Sequence, residues 1–270
     1  MSPRRRALVV ATALVLALAA AVAAVAALGG SGRGAPAAVR RAGEVPVLVV
    51  PGYNGTAASV GTLAARLRAA GREVVAVELP DRGTRDLRDA ATALGRAVDR
   101  TGAARVDLVG YSAGGLAIRL WLAEPVGALR ARRVVLLGTP NHGTELAGAA
   151  AALDPGLCAT SVCQLAPGSA LLARLNRDDE TPPGPRFFSI WTALDQTVIP
   201  PATAVLDGAA NIRVQDVCRS ARLGHGDLVT SPLALGLVVE ALDGTLPDPP
   251  GPGDCAALRA IGAPVAGGSG

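Results

Sequence analysis

Ser112 lies in Gly110-Tyr111-Ser112-Ala113-Gly114, between a short apolar run, Arg105-Val106-Asp107-Leu108-Val109, and a helix-like run from Gly115 to Leu122 closed by Glu124-Pro125. A serine on a strand-to-helix turn, with glycines two positions before and after it, has the form of a nucleophile elbow. Such a turn is sharp enough to strain the backbone at the serine, and only small residues fit two positions either side. Gly110 and Gly114 supply that room. The following helix N-terminus favours negative charge beside the hydroxyl. The chemistry implied is nucleophilic attack by Ser112 in a serine hydrolase.

A serine hydroxyl is a weak nucleophile at neutral pH and needs a base within hydrogen-bond reach. The chain has only two histidines, His142 and His225. Around an elbow of this kind the chain order is serine, acid, histidine, with the histidine on the loop after the last strand. His225, in Gly224-His225-Gly226-Asp227, fits that order. His142 follows the strand after the elbow helix and leaves no room for an intervening acid, so it reads as a loop residue in the wall of the site. The acid should end the strand before the histidine loop, which selects Asp195, in Trp191-Thr192-Ala193-Leu194-Asp195. Asp207 reads as a turn residue, Asp216 as part of a strand, and Asp227 as too close to the histidine in sequence. Asp195 would accept the imidazole N–H, fix its tautomer and stabilise the imidazolium. Two backbone N–H donors must face the developing oxyanion. Ala113, directly after the serine, supplies one. Tyr53, in the glycine-rich loop Pro51-Gly52-Tyr53-Asn54-Gly55, is the expected second.

The elements that must position these groups alternate. Val45 to Val50 reads as a strand, Ser59 to Ala70 as a helix ended by Gly71, Val74 to Leu79 as a strand and Asp86 to Arg100 as an amphipathic helix. The elbow strand and helix follow, then a strand over Arg133 to Leu137. The resulting β-α-β-α-β-α-β series predicts an α/β fold, a mostly parallel central sheet with helices on both faces. From Gly138 to Pro185 the pattern weakens into loops and short helices, enough for a small lid or none. Strand character resumes at Phe187 to Thr192 and again at Ile212 to Val217. A last helix spans Ser231 to Leu242, with Ser231-Pro232 as cap and first residue.

Half of the 270 residues are hydrophobic but only 2% are aromatic, so the core must be aliphatic. All 26 basic residues are arginines, and Arg4, Arg5 and Arg6 carry three of the +4 formal charges, leaving +1. No basic patch interleaved with aromatics points to nucleic acid. Those three arginines precede an uncharged apolar run of 22 residues, Ala7 to Leu28, with Ala-x-Ala-like sites near its end. Residues 1–28 therefore read as a cleaved signal peptide or, the run being longer than the roughly 7–15 residues of a signal core, as an N-terminal membrane anchor. The protein is expected to be secreted, or else anchored to the outer face of the cytoplasmic membrane. Residues 29–43 read as a flexible linker, 44–246 as the catalytic domain and 247–270 as a Pro/Gly-rich tail. Export gives meaning to the four cysteines. Cys158 and Cys163 could close a small loop, leaving Cys218 and Cys255 to tie the tail to the body. Three pairings are open from sequence, and none of them resembles a zinc site.

Val-Pro-Gly-Tyr at 50–53, Gly-Tyr-Ser-Ala-Gly-Gly at 110–115, Leu-Gly-Thr-Pro-Asn-His-Gly-Thr at 137–144 and Leu-Gly-His-Gly at 223–226 together resemble secreted bacterial lipases and esterases of the actinobacterial and Bacillus type. Cys163 to Ser169, Leu-Asn at 175–176 and Asp-Glu-Thr-Pro at 179–182 resemble the actinobacterial branch. The resemblance spans about residues 45–245. It implies an α/β-hydrolase fold and ester hydrolysis through Ser112, Asp195 and His225. The chain departs from that family where Pro51 replaces the usual histidine of the oxyanion loop, and where Tyr-Ser-Ala replaces His-Ser-Met at the elbow. Such chemistry needs no metal or organic cofactor. The expected partner is a small-molecule or lipid ester, with contact to a membrane or lipid surface, and the chain is expected to act as a monomer. An acyltransferase, thioesterase or polyester hydrolase would use the same triad. A non-catalytic surface protein on this fold would be expected to lack a triad residue, and none is missing.

Overall fold

The computed structural model describes residues 45–264. The expected leader at 1–28, the linker at 29–43 and the last residues of the chain lie outside the described residues. Among the described residues no helix is long and apolar enough to cross a membrane.

Among the described residues six strands form the sheet: β1 (Val47–Val50), β2 (Val74–Ala76), β3 (Val106–Tyr111), β4 (Ala131–Leu137), β5 (Arg186–Trp191) and β6 (Ala210–Arg213). Their order is β2-β1-β3-β4-β5-β6, and every pairing is parallel. A parallel sheet must be covered on both faces, and the strand pleat sorts the aliphatic residues accordingly. Val47, Val49, Val109, Val135, Leu137, Phe188 and Ile190 face one helical layer, which includes α1 (Gly61–Ala69) and supplies Leu63 and Leu67. Leu48, Val50, Leu108, Val134, Leu136 and Phe187 face the other, which holds α2 (Leu87–Thr101) and α3 (Ala113–Leu122). Helix α2 is capped at both ends, by the Asp86 side chain accepting from Arg88 N and by Gly102 in the left-handed conformation. The expected α/β architecture, helices on both faces of a parallel sheet, is what the chain adopts.

Between β4 and β5 the chain makes α4 (Glu145–Leu153) and several short turns of helix. These pack as a third, smaller apolar cluster on the outer side of α3, through Leu116, Leu120, Ala147, Leu165 and Leu172. Cys158 is bonded to Cys163 within this segment, with Cα atoms 4.9 Å apart.

Two segments depart from the sequence expectation. The apolar run at 212–217 predicts a continuous strand, but β6 ends at Arg213 and Val214–Val217 is a helical turn. Val214 and Val217, three apart, are both buried, a spacing that suits helix rather than strand. The Gln215 amide holds the turn to the end of β5, accepting from Ala193 N at 3.0 Å and donating to Thr192 Oγ1 at 2.8 Å. Asp216 therefore sits in this turn, paired with Arg213. The second departure is at the C-terminus, where composition predicts a tail from 247. The chain instead forms α6 (Cys255–Gly262), packed on α5 (Pro232–Asp243). The packing is backbone to backbone: a Cβ on Gly236 would stand 1.9 Å from Leu258 O, and one on Gly262 1.8 Å from Pro232 O. Arg66 of α1 donates to Ile261 O at 2.6 Å, and the Cys218–Cys255 bond joins α6 to the helical turn after β6.

The 37-residue separation of Cys218 and Cys255 sets the scale of that bond's contribution. Loop-closure entropy predicts that replacing both with serine lowers unfolding free energy by about 2–4 kcal/mol. Urea denaturation of the paired variant against wild type measures it, and an unchanged midpoint would show that α6 is held by packing alone.

Candidate active site

All six strands run the same way, so their C-terminal ends share one edge of the sheet. Ser112 stands there, directly after β3, with φ 54° and ψ −129°. Few non-glycine residues adopt such a conformation, and it costs on the order of 1–3 kcal/mol. Neighbouring backbone holds it in place: Ser112 N donates to Leu137 O at 2.8 Å, and Gly115 N to Ser112 O at 3.0 Å. The flanking glycines are required by clearance. A Cβ on Gly110 would lie 2.6 Å from Gly115 Cα, and one on Gly114 would lie 2.4 Å from both Val50 O and Pro51 O. The elbow helix is thereby drawn onto the β1 loop.

The same close approach brings the 51–55 loop against the serine. A Cβ on Gly52 would stand 2.9 Å from Ser112 Cβ, and Gly55 N closes the turn on Gly52 O at 3.0 Å. Tyr53 lies at the tip of that turn, its side chain partly exposed. Ala113 is the first residue of α3, so its N–H has no acceptor within the helix. An anion bound beside Ser112 would meet this free N–H and the positive end of α3.

Asp195 and His225 come together from two different loops. Asp195 Oδ2 meets His225 Nδ1 at 2.7 Å, and both residues are buried. The other carboxylate oxygen accepts from Thr197 N and Val198 N, each at 2.8 Å. This geometry puts the imidazole proton on Nδ1 and leaves Nε2 as an acceptor. The histidine loop is fixed from both sides, by Asp227 Oδ2 accepting from Gly224 N at 2.7 Å and by Thr192 Oγ1 donating to Leu223 O at 2.6 Å. His225 packs against Gly138, where a Cβ would be 3.1 Å from its Nδ1. Gly138 follows Leu137, whose carbonyl holds Ser112, so serine and histidine occupy one corner of the sheet edge. Among the described residues no Ser112–His225 hydrogen bond is formed; bonds of this kind tighten when substrate binds.

The alternatives have other partners. His142 Nε2 pairs with Glu180 Oε1 at 2.8 Å on the wall formed by the β4–β5 segment. Asp207 N donates to Glu180 Oε2 at 2.8 Å, Asp216 pairs with Arg213, and Asp227 caps the histidine loop.

Sequence reasoning missed two features. Arg119 of α3 is buried, donates to Asn176 Oδ1 at 2.7 Å and Leu175 O at 3.3 Å, and approaches Asn141 O at 3.4 Å. Asn176 Nδ2 donates to Asn141 O at 2.9 Å, and Asn141 Nδ2 to Ala204 O at 2.7 Å. This buried polar knot ties the β4–β5 segment to the elbow helix, and burial pulls the Arg119 pKa down to about 10. Its only signal in sequence was the presence of Asn141 and Asn176 in the motifs quoted above. The second is Tyr111, whose ring lies 5.0 Å from the His225 ring at 35° and whose hydroxyl donates to His225 O at 3.4 Å.

The sequence matches no protein-family model and no curated protein. Solved structures do resemble it. The crystal structure of Aspergillus fumigatus lipase B aligns with a TM-score of 0.66 at 22% identity over 83% of this chain and 57% of that one. Bacillus licheniformis lipase BlEst2 in its propeptide form gives 0.60 at 19% identity over 76% and 52%. MGS-MChE2, an α/β-hydrolase enzyme from a lagoon-sediment metagenome of Mar Chica, Morocco, gives 0.54 at 17% over 74% and 91%. This chain thus spans little more than half the length of the first two. The likeness establishes the α/β-hydrolase fold.

Burial, with Asp195 and Asp227 nearby, pushes the Tyr111 pKa up to about 12 from 10.0. Because the folded value is the higher one, its stabilising contribution is complete below pH 10 and is lost as pH rises through 12. The phenolate absorbance missing from a Tyr111→Phe variant should accordingly appear near pH 12 in the native protein, and a transition at pH 10 would mean that the ring is solvated.

Proposed function

We propose that this chain is a secreted serine carboxylesterase or lipase acting on medium- to long-chain acyl esters. The observation that carries the reading is the buried Asp195–His225 hydrogen bond of 2.7 Å at the corner where the strained Ser112 turn stands. In this reading Ser112 attacks the ester carbonyl while His225 Nε2 takes the hydroxyl proton, and Asp195 stabilises the imidazolium. The Ala113 and Tyr53 N–H groups receive the oxyanion. His225 then protonates the leaving alcohol, and water repeats the sequence to release the acid. The fold shared with lipases and esterases supports the reading, as do the two disulfides for an extracellular location.

Contact with a lipid surface is part of the same proposal. Large apolar side chains are exposed on segments next to the site: Tyr53 on the 51–55 loop, Leu194 beside Asp195, and Leu146 and Leu153 on α4. Helix α4 begins beside the acid loop, where Glu145 N donates to Ile199 O at 2.7 Å and Thr144 Oγ1 to Thr197 O at 2.7 Å. Transfer to an acceptor other than water would use identical groups, and added alcohol in the assay distinguishes it by the ester it would form.

Hydrolysis of p-nitrophenyl esters from acetate to palmitate tests the reaction. Ser112→Ala should abolish it. Asp195→Asn should lower kcat by about 10⁴-fold while the protein stays folded. His142→Ala should remain active, and a folded wild type inert on every chain length would remove the hydrolase reading altogether. On emulsified long-chain ester, Leu146→Ser with Leu153→Ser should lose turnover that it keeps on soluble ester; equal loss on both would argue against surface contact.

A further inference from the structure

Tyr111 precedes the nucleophile, so its backbone is fixed by β3 and the elbow. Gly110 pairs with Leu136 in the sheet register and Tyr111 with Leu137. From that position its side chain spans to the other loop of the site. The ring lies against the imidazole, with centroids 5.0 Å apart and planes 35° apart, and the hydroxyl donates to the main-chain oxygen of His225 at 3.4 Å. One side chain therefore contacts both the ring and the backbone of His225. Of the remaining anchors of that loop, two act on its neighbours Leu223 and Gly224, and Leu228 N donates to His225 O at 3.3 Å from within the loop itself, so Tyr111 is the contact that ties His225 to the nucleophile strand. The ring also belongs to the edge of the main apolar cluster.

We propose that Tyr111 is a positioning residue for the reaction, setting the distance between His225 and Ser112 by clamping the histidine loop to the nucleophile strand. The inference rests on the triad reading above. Three features support it. A tilted ring pair at 5.0 Å between centroids lies in the range of favourable aromatic contact, and it restricts imidazole rotation about χ2. The Asp195–His225 bond fixes the ring at Nδ1 but leaves a swing about that contact, which the Tyr111 ring on one side and Gly138 near Nδ1 and Cε1 limit. The Tyr111 phenol stays neutral across the working pH range, so the hydroxyl remains a donor and brings no charge beside the imidazolium. A leucine or alanine at this position would leave the imidazole held by the Asp195 bond and its packing on Gly138, with no aromatic ring against it.

A positioning role and a purely structural role differ in their kinetics. Misplacement of a reacting group by about 1 Å costs on the order of 100-fold, in kcat rather than in KM. Tyr111→Leu should therefore lose kcat by about 100-fold with KM within about 3-fold of wild type. Tyr111→Phe, which keeps the ring, should recover all but about 3-fold to 10-fold of it, the share of one neutral hydrogen bond. The rate at which paraoxon phosphorylates Ser112, followed by intact-protein mass, should fall in the same order, because that step needs the histidine but no acyl pocket. Circular dichroism checks that each variant is folded. Wild-type labelling with an undiminished rate in folded Tyr111→Leu overturns the positioning role alone. Absence of labelling in wild type overturns the triad reading and the inference with it. Should Tyr111→Leu not fold, Tyr111→Phe decides, and wild-type kcat in that variant overturns the hydroxyl clamp.

Discussion

The backbone at Ser112, with φ 54° and ψ −129°, is held in a conformation the residue would leave if it could, and most of the sheet edge is arranged around keeping it there. The carbonyl of Leu137 takes its N–H, and its own carbonyl takes that of Gly115. Glycine at 110 and 114 lets the strand, the following helix and the β1 loop pass within distances that no Cβ allows. The strain is small beside the apolar burial of β3 and α3, whose aliphatic side chains are almost all fully buried. A turn anchored between two such elements cannot relax without unpacking one of them.

What the rest of the fold adds is convergence. Parallel strands deliver their C-terminal loops to one edge, so Ser112 after β3, Asp195 after β5 and His225 after the β6 turn all lie along it, and Asp195 and His225 bond there despite lying 30 residues apart in the chain. Precision comes from small polar contacts rather than from a large core. Thr192 ties the β5 loop to the histidine loop, Asp227 closes that loop, and Thr197 and Val198 N–H groups orient the Asp195 carboxylate. The knot of Arg119, Asn141 and Asn176 does the same for the β4–β5 segment. Its guanidinium is bonded to neutral carbonyl and amide oxygens, an arrangement whose desolvation cost makes it a feature of position more than of stability.

Much of this was legible in the residues. The alternating strand and helix periods predict the layers on both faces of the sheet, because burial on two sides demands apolar strands and amphipathic helices. The elbow motif marks Ser112, and chain order marks Asp195 and His225 as the pair that the folded chain joins. The run at 212–217 was misleading because its apolar residues serve a strand and then a helical turn, and the burial of Val214 and Val217 together with the Gln215 contacts to Thr192 and Ala193 chooses between them. The C-terminal helix was hidden by its composition. Its Gly262 and Cys255 matter only through Pro232 and Gly236 of α5 and through Cys218, partners that lie outside its own sequence.

The sequence by itself determined the groups and their order along the chain: a serine between spaced glycines, an acid shortly after a later strand, a histidine further on, and four cysteines. Local patterns suffice for these because they depend on residue type and on spacings of a few positions. Only the tertiary structure decided which cysteines pair, that Tyr111 faces His225 across 114 residues, that Arg119 binds the β4–β5 segment, and that α6 belongs to the folded body. Each of these is a contact between segments remote in sequence. Such contacts are set by how the packed layers bring segments together in space, and no period or motif within either segment records the partner.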